Sequence, residues 1–200
     1  MKKNCVILFL LGWIPFVTVS AGVTQGADPS LEQARLLFYQ SVEEERNIDP
    51  ALKLFQQINE QDSTLAGRSL TYIGALTALK GKHALLPQNK LKWVKNGLAL
   101  MDRGVAMNPD DIESLFIHGS TCFFLPFFFN RSEDAQEKLR RIVELLPTEN
   151  GAYDAALLNN VIDFVEQNTT LSDAEKEILA TAQKDIMART STQSKIGQVQ

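Results

Sequence analysis

The most restrictive feature of this sequence is the spacing of its apolar residues after Asp28. They recur three and four positions apart in segment after segment, as Leu31, Ala34 and Leu37 do in the first of them. This spacing places apolar side chains on one face of an α-helix, whereas a half-buried strand alternates apolar and polar residues with a period of two. No stretch of the sequence shows that alternation convincingly. The sequence therefore predicts an all-α fold.

Proline, glycine and capping residues divide the helical pattern into about eight segments. The predicted helices begin near Asp28, Asp49, Leu65, Pro87, Ile112, Ser132, Asp154 and Ser172. We expect Gly81 to end the third helix and Pro147 to follow the end of the sixth. Residues 22–189 are predicted to form a single domain, and the polar segment 190–200 a flexible tail.

The first 21 residues have the three parts of a secretory signal peptide. Lys2 and Lys3 provide a positive start, an apolar run follows from Cys5 to Val19, and Val19-Ser20-Ala21 has the small-x-small pattern of a cleavage site. The run is shorter than the roughly 20 residues of a membrane-spanning helix. We therefore expect cleavage near Ala21 and export to a bacterial periplasm. An uncleaved segment would instead anchor the protein in the membrane.

Charge and cysteine content narrow the function classes. The net charge of the whole chain is −4, and loss of Lys2 and Lys3 with the leader would make it −6. An acidic chain is unsuited to binding nucleic acid, which requires a basic surface. Cleavage would also remove Cys5 and leave Cys122 as the single cysteine. The exported protein would then have no internal disulfide, and its core would have to hold the fold.

A second regularity links the second, fourth and sixth predicted helices. In each, a small residue is followed four positions later by a large one, and a serine or proline comes twelve positions after the first. The three sets are Ala51-Phe55-Ile58-Ser63, Gly97-Met101-Gly104-Pro109 and Ala135-Leu139-Ile142-Pro147. A small residue lets a partner helix approach, and a large one fills the space a turn later. In the helices before the fourth and sixth, Leu70-x-x-Ile73-Gly74 and Leu115-x-x-His118-Gly119 match each other.

This pattern resembles the tetratricopeptide repeat (TPR) over roughly residues 32–147. The resemblance implies antiparallel helix pairs stacked as a right-handed array, with the last two helices closing its end. The spacing departs from the regular period of about 34 residues, since the closing positions Ser63, Pro109 and Pro147 lie 46 and 38 residues apart. Insertions are therefore expected near residues 80–89 and 124–131. A general helical bundle is the alternative fold.

The same resemblance implies that the first helix of each pair lines a concave groove. The residues expected to face it and to bind a partner are Arg68, Thr71, Glu113, Phe116, Ser120 and Phe123. This surface is mixed polar with an apolar end. It suits an extended peptide or an amphipathic segment better than a charged metabolite.

The run Phe123-Phe124-Leu125-Pro126-Phe127-Phe128-Phe129 is the most unusual segment of the chain. It could fold back as a core plug, or it could form an exposed lip that inserts into a partner, a membrane surface or an apolar ligand. Pro126 is expected to break the helix, so the rings cannot all point the same way. We define the candidate lip as Phe124, Phe127, Phe128 and Phe129.

Few residues are candidates for catalysis or metal binding. His118 and Cys122 are four apart and share a helix face, which could give a thiol–imidazole pair or half of a metal site. Both fall where the repeat places packed residues, so a buried structural pair is the favoured interpretation. The remaining histidine, His83, is expected in a solvated connector. The sequence has no nucleophile elbow, phosphate loop or zinc-protease motif. We expect no enzyme activity, no cofactor and no metal.

These observations predict a non-enzymatic periplasmic adaptor that recruits another envelope protein or peptide through the groove and the lip. The alternative is an accessory subunit of an envelope transport system that binds an apolar small molecule. A third class, an envelope-attached scaffold, would need the N-terminal segment to remain uncleaved. The identity of the partner and the oligomeric state do not follow from the sequence.

Overall fold

The structure, which is a computed structural model, describes the backbone of residues 29–196 and the side chains of residues 31–191. The predicted signal peptide lies outside this part. Residues 29–196 form eight α-helices and no strand, which confirms the all-α prediction. The helices are α1 (Pro29–Ser41), α2 (Ile48–Gln61), α3 (Ala66–His83), α4 (Pro87–Met107), α5 (Ile112–Phe124), α6 (Ser132–Glu149), α7 (Ala155–Asn168) and α8 (Asp173–Ile196). No helix among them is both long and apolar enough to cross a bilayer.

Side-chain caps fix several helix starts. The carboxylate of Asp111 accepts a hydrogen bond from the backbone N–H of Ser114 at 3.0 Å at the start of α5. At the start of α8, the N–H of Ser172 donates to Glu175 at 2.7 Å and the N–H of Glu175 donates to the Ser172 hydroxyl at 3.3 Å. Such caps satisfy N–H groups that the first turn of a helix leaves without a partner. The predicted starts of α2 to α8 all lie within one residue of the observed ones.

Three helix ends differ from the prediction. Gly81 does not end α3, which continues to His83, because Gly81 lies against α4 and a Cβ there would be 3.0 Å from the carbonyl oxygen of Lys90. Pro147 lies inside the last turn of α6, where a proline removes only one hydrogen bond before the helix ends at Glu149. The backbone of α8 continues to Ile196, so the helix includes the first part of the segment expected to be a tail.

A seam of glycines joins α3 and α4. It comprises Gly67, Gly74 and Gly81 on α3 and Gly97 and Gly104 on α4. The glycines of each helix are seven residues, or two turns, apart and so share one face. A Cβ on Gly97 would lie 2.5 Å from both the backbone nitrogen of Ala78 and the carbonyl oxygen of Gly74. The seam therefore brings two backbones closer than any side chain would allow.

The repeat positions named in the sequence lie inside the protein. The buried members are Ala51, Phe55, Ile58, Gly97, Met101, Gly104, Ala135, Leu139 and Ile142. Phe55 stacks on Tyr72 of α3 with ring centroids 4.3 Å apart. The small-then-large spacing thus marks helix faces that pack. The right-handed TPR-like stacking stays a prediction.

Three helices run in the same direction. Arg68 near the start of α3 pairs with Asp111 just before α5, so the starts of these two helices lie together. Lys82 near the end of α3 donates to the carbonyl oxygen of Val42 just after α1, at 2.5 Å. The connectors that follow α1 and α3 therefore lie at the same end of the molecule.

Candidate binding groove and phenylalanine lip

An ion-pair network lies between α1, α3 and α5, where the sequence predicted a groove. Arg35 of α1 binds Glu113 of α5 through two hydrogen bonds, Nε–Oε1 of 2.6 Å and Nη2–Oε2 of 2.5 Å. Arg68 of α3 binds Asp111 in the same bidentate way, at 3.2 and 2.5 Å. Its Nη1 also lies 3.2 Å from Glu113 Oε2. Because bidentate arginine–carboxylate pairs are strong and directional, the network ties the three helices together.

Two tyrosines complete the network. The hydroxyl of Tyr72 donates to Glu113 Oε1 at 2.6 Å, and that of Tyr153 donates to Asp111 Oδ1 at 2.9 Å. Glu113 and Asp111 are buried, and each of their carboxylate oxygens has at least one donor. A buried carboxylate without such partners would be very unfavourable.

Asp111 is ionised near neutral pH. Burial alone would raise the pKa of Asp111, but the hydrogen bonds from Arg68 and Ser114 outweigh it and hold that pKa below its ordinary value. Two arginines thus face two carboxylates, and the network offers little net charge to a ligand.

The polar residues predicted for the groove have separate positions. Arg68 and Glu113 are brought together, but each is already engaged in the ion-pair network. Thr71 is fully buried in the seam, where its hydroxyl donates to the carbonyl oxygen of Gly67 at 3.0 Å. It does not reach the groove, because the side of α3 that carries Thr71 packs on α4.

The α5 residues predicted for the groove differ in exposure. Phe116 is buried and meets the ring of Phe164 of α7 edge-to-face, with centroids 5.5 Å apart. The hydroxyl of Ser120 donates to the carbonyl oxygen of Phe116 at 2.7 Å. Phe123 has 37% of its surface exposed. Of the six predicted groove residues, Phe123 is thus the most open to a partner.

Sequence reasoning did not identify four members of the network, namely Arg35, Tyr72, Asp111 and Tyr153. Arg35 and Glu113 lie 78 positions apart in the chain, and no local pattern pairs them. One clue was present: Glu113 is the single Asp or Glu in the otherwise apolar helix α5. An acid in such a helix requires a buried partner.

The lip divides as Pro126 led us to expect. After α5 ends at Phe124, Phe127–Phe129 form one turn of 3₁₀-helix, and Asn130 closes the turn with a φ of 53°. Phe127 is 89% exposed and Phe128 is 59% exposed. Phe129 instead packs against the core, and Phe124 contacts Phe164 with centroids 5.9 Å apart. The exposed part of the lip is therefore the pair Phe127 and Phe128.

His118 and Cys122 form a buried pair in the structure, with 3.8 Å between Cys122 Sγ and His118 Nε2. The same Nε2 lies 3.0 Å from Asp102 of α4. Burial lowers the pKa of His118 to about 4 and raises that of Cys122 to about 12. A neutral imidazole and a protonated thiol fit a packed pair, whereas a reactive cysteine needs an accessible thiolate.

Two surface depressions lie away from the lip. One, of about 420 Å³, lies between the α1–α2 connector and the α3–α4 connector and includes Asp49, Lys80 and Trp93. The other, of about 940 Å³, has a charged lining that includes Glu137, Arg140 and Arg141. Neither is lined by a residue of the lip.

No protein-family model, curated protein or solved structure matches this chain. The resemblance to the tetratricopeptide repeat therefore rests on the residues quoted for it.

Proposed function

We propose that this protein is a non-enzymatic binding module that recruits a protein partner in the cell envelope through the lip and the adjoining groove. The observation that carries the proposal is the exposure of Phe127 and Phe128 at the end of a structured turn. Large apolar side chains exposed side by side are uncommon on monomeric proteins unless another molecule covers them.

The geometry of the lip favours binding. The rings of Phe127 and Phe128 lie with centroids 6.0 Å apart, so that one apolar pocket on a partner could receive both. Each phenylalanine can bury about 150–250 Å². Phe129 and Leu125 pack against the core on either side. Because the turn is held in place before binding, little conformational entropy is lost when the partner docks.

The groove supplies a second, weaker contact. Leu36 and Tyr39 of α1 and Phe123 of α5 are exposed apolar side chains on helices that run in the same direction. Arg35 is engaged by Glu113, and Arg68 by Asp111. This combination suits an extended or amphipathic segment of a protein better than a charged small molecule.

The arrangement of the other rings argues against a site for an apolar small molecule. Such a site needs an apolar cavity beside the lip. Phe123, Phe124 and Phe164 instead contact one another, with centroids 5.2 to 5.9 Å apart. The space between these rings is filled by the rings themselves.

Affinity capture from an envelope extract tests the proposal. The bait is the chain from Gly22, either unchanged or with Phe127→Ser and Phe128→Ser. A matched control carries Met107→Ser and Met187→Ser, two side chains that are exposed on α4 and α8. We expect mass spectrometry to find a protein that the unchanged and control baits retain and the lip variant loses. A retained apolar small molecule with no protein partner would support the transport-accessory alternative instead. Equal capture by all three baits would contradict the role of the lip.

A further inference from the structure

The α3–α4 connector and the first turns of α4 form a basic, apolar end. Between Lys80 and Met101 the chain has five lysines and no aspartate or glutamate, although its overall net charge is −4. In the connector, Leu85 is 94% exposed and Leu86 is 52% exposed. We call residues 85–95 the tip.

Two of the five lysines are engaged by acids of the α1–α2 connector and of the first turn of α2. Lys80 pairs with Asp49 at 2.8 Å, and Lys82 lies 3.8 Å from Glu43. The other three, Lys90, Lys92 and Lys95, are exposed, and their side chains have no hydrogen-bond or ion-pair partner among the described residues. The tip therefore carries three uncompensated positive charges beside two exposed leucines.

Favourable interaction with the N-terminus of α4 does not account for the positions of these lysines. The first turn of a helix favours acidic side chains, because its N–H groups point outward and carry a partial positive charge. Helix α4 has no acid in its first turn, and Lys90 and Lys92 follow Pro87 by three and five positions. Lys90 thus lies at the end of the first turn, where the helix disfavours a positive charge, whereas Lys92 and Lys95 lie beyond the reach of that effect.

The tip is rigid and extends past its neighbour. Asp102 of α4 lies against His118 of α5. Fifteen residues of α4 precede Asp102, and six residues of α5 follow His118. At about 1.5 Å per residue, α4 extends past the end of α5 by roughly 13 Å along the helix axis. The glycine seam holds α4 against α3 over this length, with Gly81 facing Lys90. The exposed leucines therefore stand at the end of a stiff helical hairpin.

We propose that the tip docks the protein on a membrane surface that contains anionic phospholipids. Leu85 and Leu86 would enter the boundary between headgroups and acyl chains, while Lys90, Lys92 and Lys95 would contact lipid phosphates. Stable peripheral attachment requires two weak contributions acting together, apolar insertion and attraction between basic residues and anionic lipids. A tip with both contributions fits the chemistry of an anionic membrane surface. This inference concerns a different surface from the lip and does not depend on the proposed partner.

Trp93 gives a direct readout. The chain has two tryptophans, and Trp13 lies in the predicted leader, so Trp93 is the only one in the chain from Gly22. Its ring is half-buried beside Lys80 and lines the same depression as Leu85 and Leu86. Membrane insertion of the tip is expected to shift its emission to shorter wavelength. Lipids with brominated acyl chains are expected to quench it.

The experiment uses vesicles of phosphatidylcholine alone and vesicles that also contain phosphatidylglycerol, with binding measured by cosedimentation and Trp93 emission. We expect binding only to the second kind, weakened by added salt. Lys90→Glu with Lys92→Glu and Lys95→Glu should weaken it by at least about a hundredfold, since loss of each lysine near an anionic surface costs roughly fivefold and each new glutamate adds repulsion. Leu85→Ser with Leu86→Ser should abolish the Trp93 shift.

A matched control separates the tip from net charge. Lys53→Glu, Arg103→Glu and Lys184→Glu change the total charge equally, at exposed positions that have no described ion-pair partner. This control should bind vesicles nearly as well as the unchanged chain. The proposal would be overturned if the unchanged chain did not bind vesicles, or if the control lost vesicle binding equally. It would also be overturned if only the lip variant, Phe127→Ser plus Phe128→Ser, lost vesicle binding. The proposal would also be overturned if the three lysines bound an acidic protein and the chain did not bind vesicles.

Discussion

Replacing Gly97 by alanine should reverse the usual effect of that substitution in a helix. At an ordinary interior helix position, alanine is about 1 kcal/mol more favourable than glycine. At Gly97, a Cβ would lie 2.5 Å from the backbone nitrogen of Ala78 and from the carbonyl oxygen of Gly74. Neither neighbour is a side chain that can rotate away.

The expected magnitude follows from these distances. Ordinary contact begins near 3.4 Å, so α3 and α4 must separate locally by about 0.9 Å. Overpacking of a well-packed interior costs about 1–3 kcal/mol. Because both obstructing atoms belong to the backbone, we take the upper end, about 3 kcal/mol, and subtract the propensity gain of about 1 kcal/mol. Gly97→Ala should therefore lower the free energy of unfolding by about 2 kcal/mol.

Gly119→Ala provides the matched control. Gly119 also lies inside a helix, but a Cβ there would meet side-chain atoms of Leu139 and Lys138 at 3.4 Å, which is ordinary contact. This variant should raise the free energy of unfolding by up to about 1 kcal/mol. The assay is urea unfolding of the chain from Gly22, followed by far-ultraviolet circular dichroism. If Gly97→Ala stabilised the protein as much as Gly119→Ala, the close approach of the α3 and α4 backbones at Gly97 would be contradicted.

Three further predictions can be checked by the same unfolding assay. Glu113→Ala should lower the free energy of unfolding by about 3–5 kcal/mol, because Arg35 would be left part-buried without its carboxylate partner; a loss below 1 kcal/mol would contradict the ion-pair network. Burial lowers the pKa of His118 from 6.5 to about 4, so the unfolded chain binds more protons in that window. The contribution of His118 is thus fully present above pH 6.5 and should fall by about 2 kcal/mol between pH 6.5 and pH 5; His118→Gln should remove this dependence, and an unchanged slope would disprove its origin. Phe127→Ser with Phe128→Ser should change the free energy of unfolding by no more than about 0.5 kcal/mol, as expected for exposed side chains; a large loss would make both rings part of the core.

Helix positions could be read from the sequence because their causes are local. Pro87 fits the first turn of a helix, and Asp111 and Asp154 cap the helices that follow them. The errors arose where a tertiary contact overrides a local rule. Glycine is a residue type that often ends helices, but at Gly81 the absence of a side chain makes room for α4. Proximity between helices of that kind does not appear in the local pattern.

The candidate site was predictable only in part, for a similar reason. Pro126 forces a break, so the division of the phenylalanines into core and surface rings follows from the covalent structure. The pairing of Arg35 with Glu113 depends on how three helices pack, which local spacing does not encode. Thr71 shows the same effect, since its face of α3 is covered by a helix rather than open to the groove.

Crosslinking in living cells can show whether the exposed lip contacts a protein partner. A photo-crosslinking phenylalanine analogue would be placed at Phe127, and in a separate strain at Met187, an exposed position on α8. We expect one specific crosslinked protein from position 127 and none from position 187. Crosslinks of equal yield and identity from both positions, or no crosslink to any protein from position 127, would contradict this expectation.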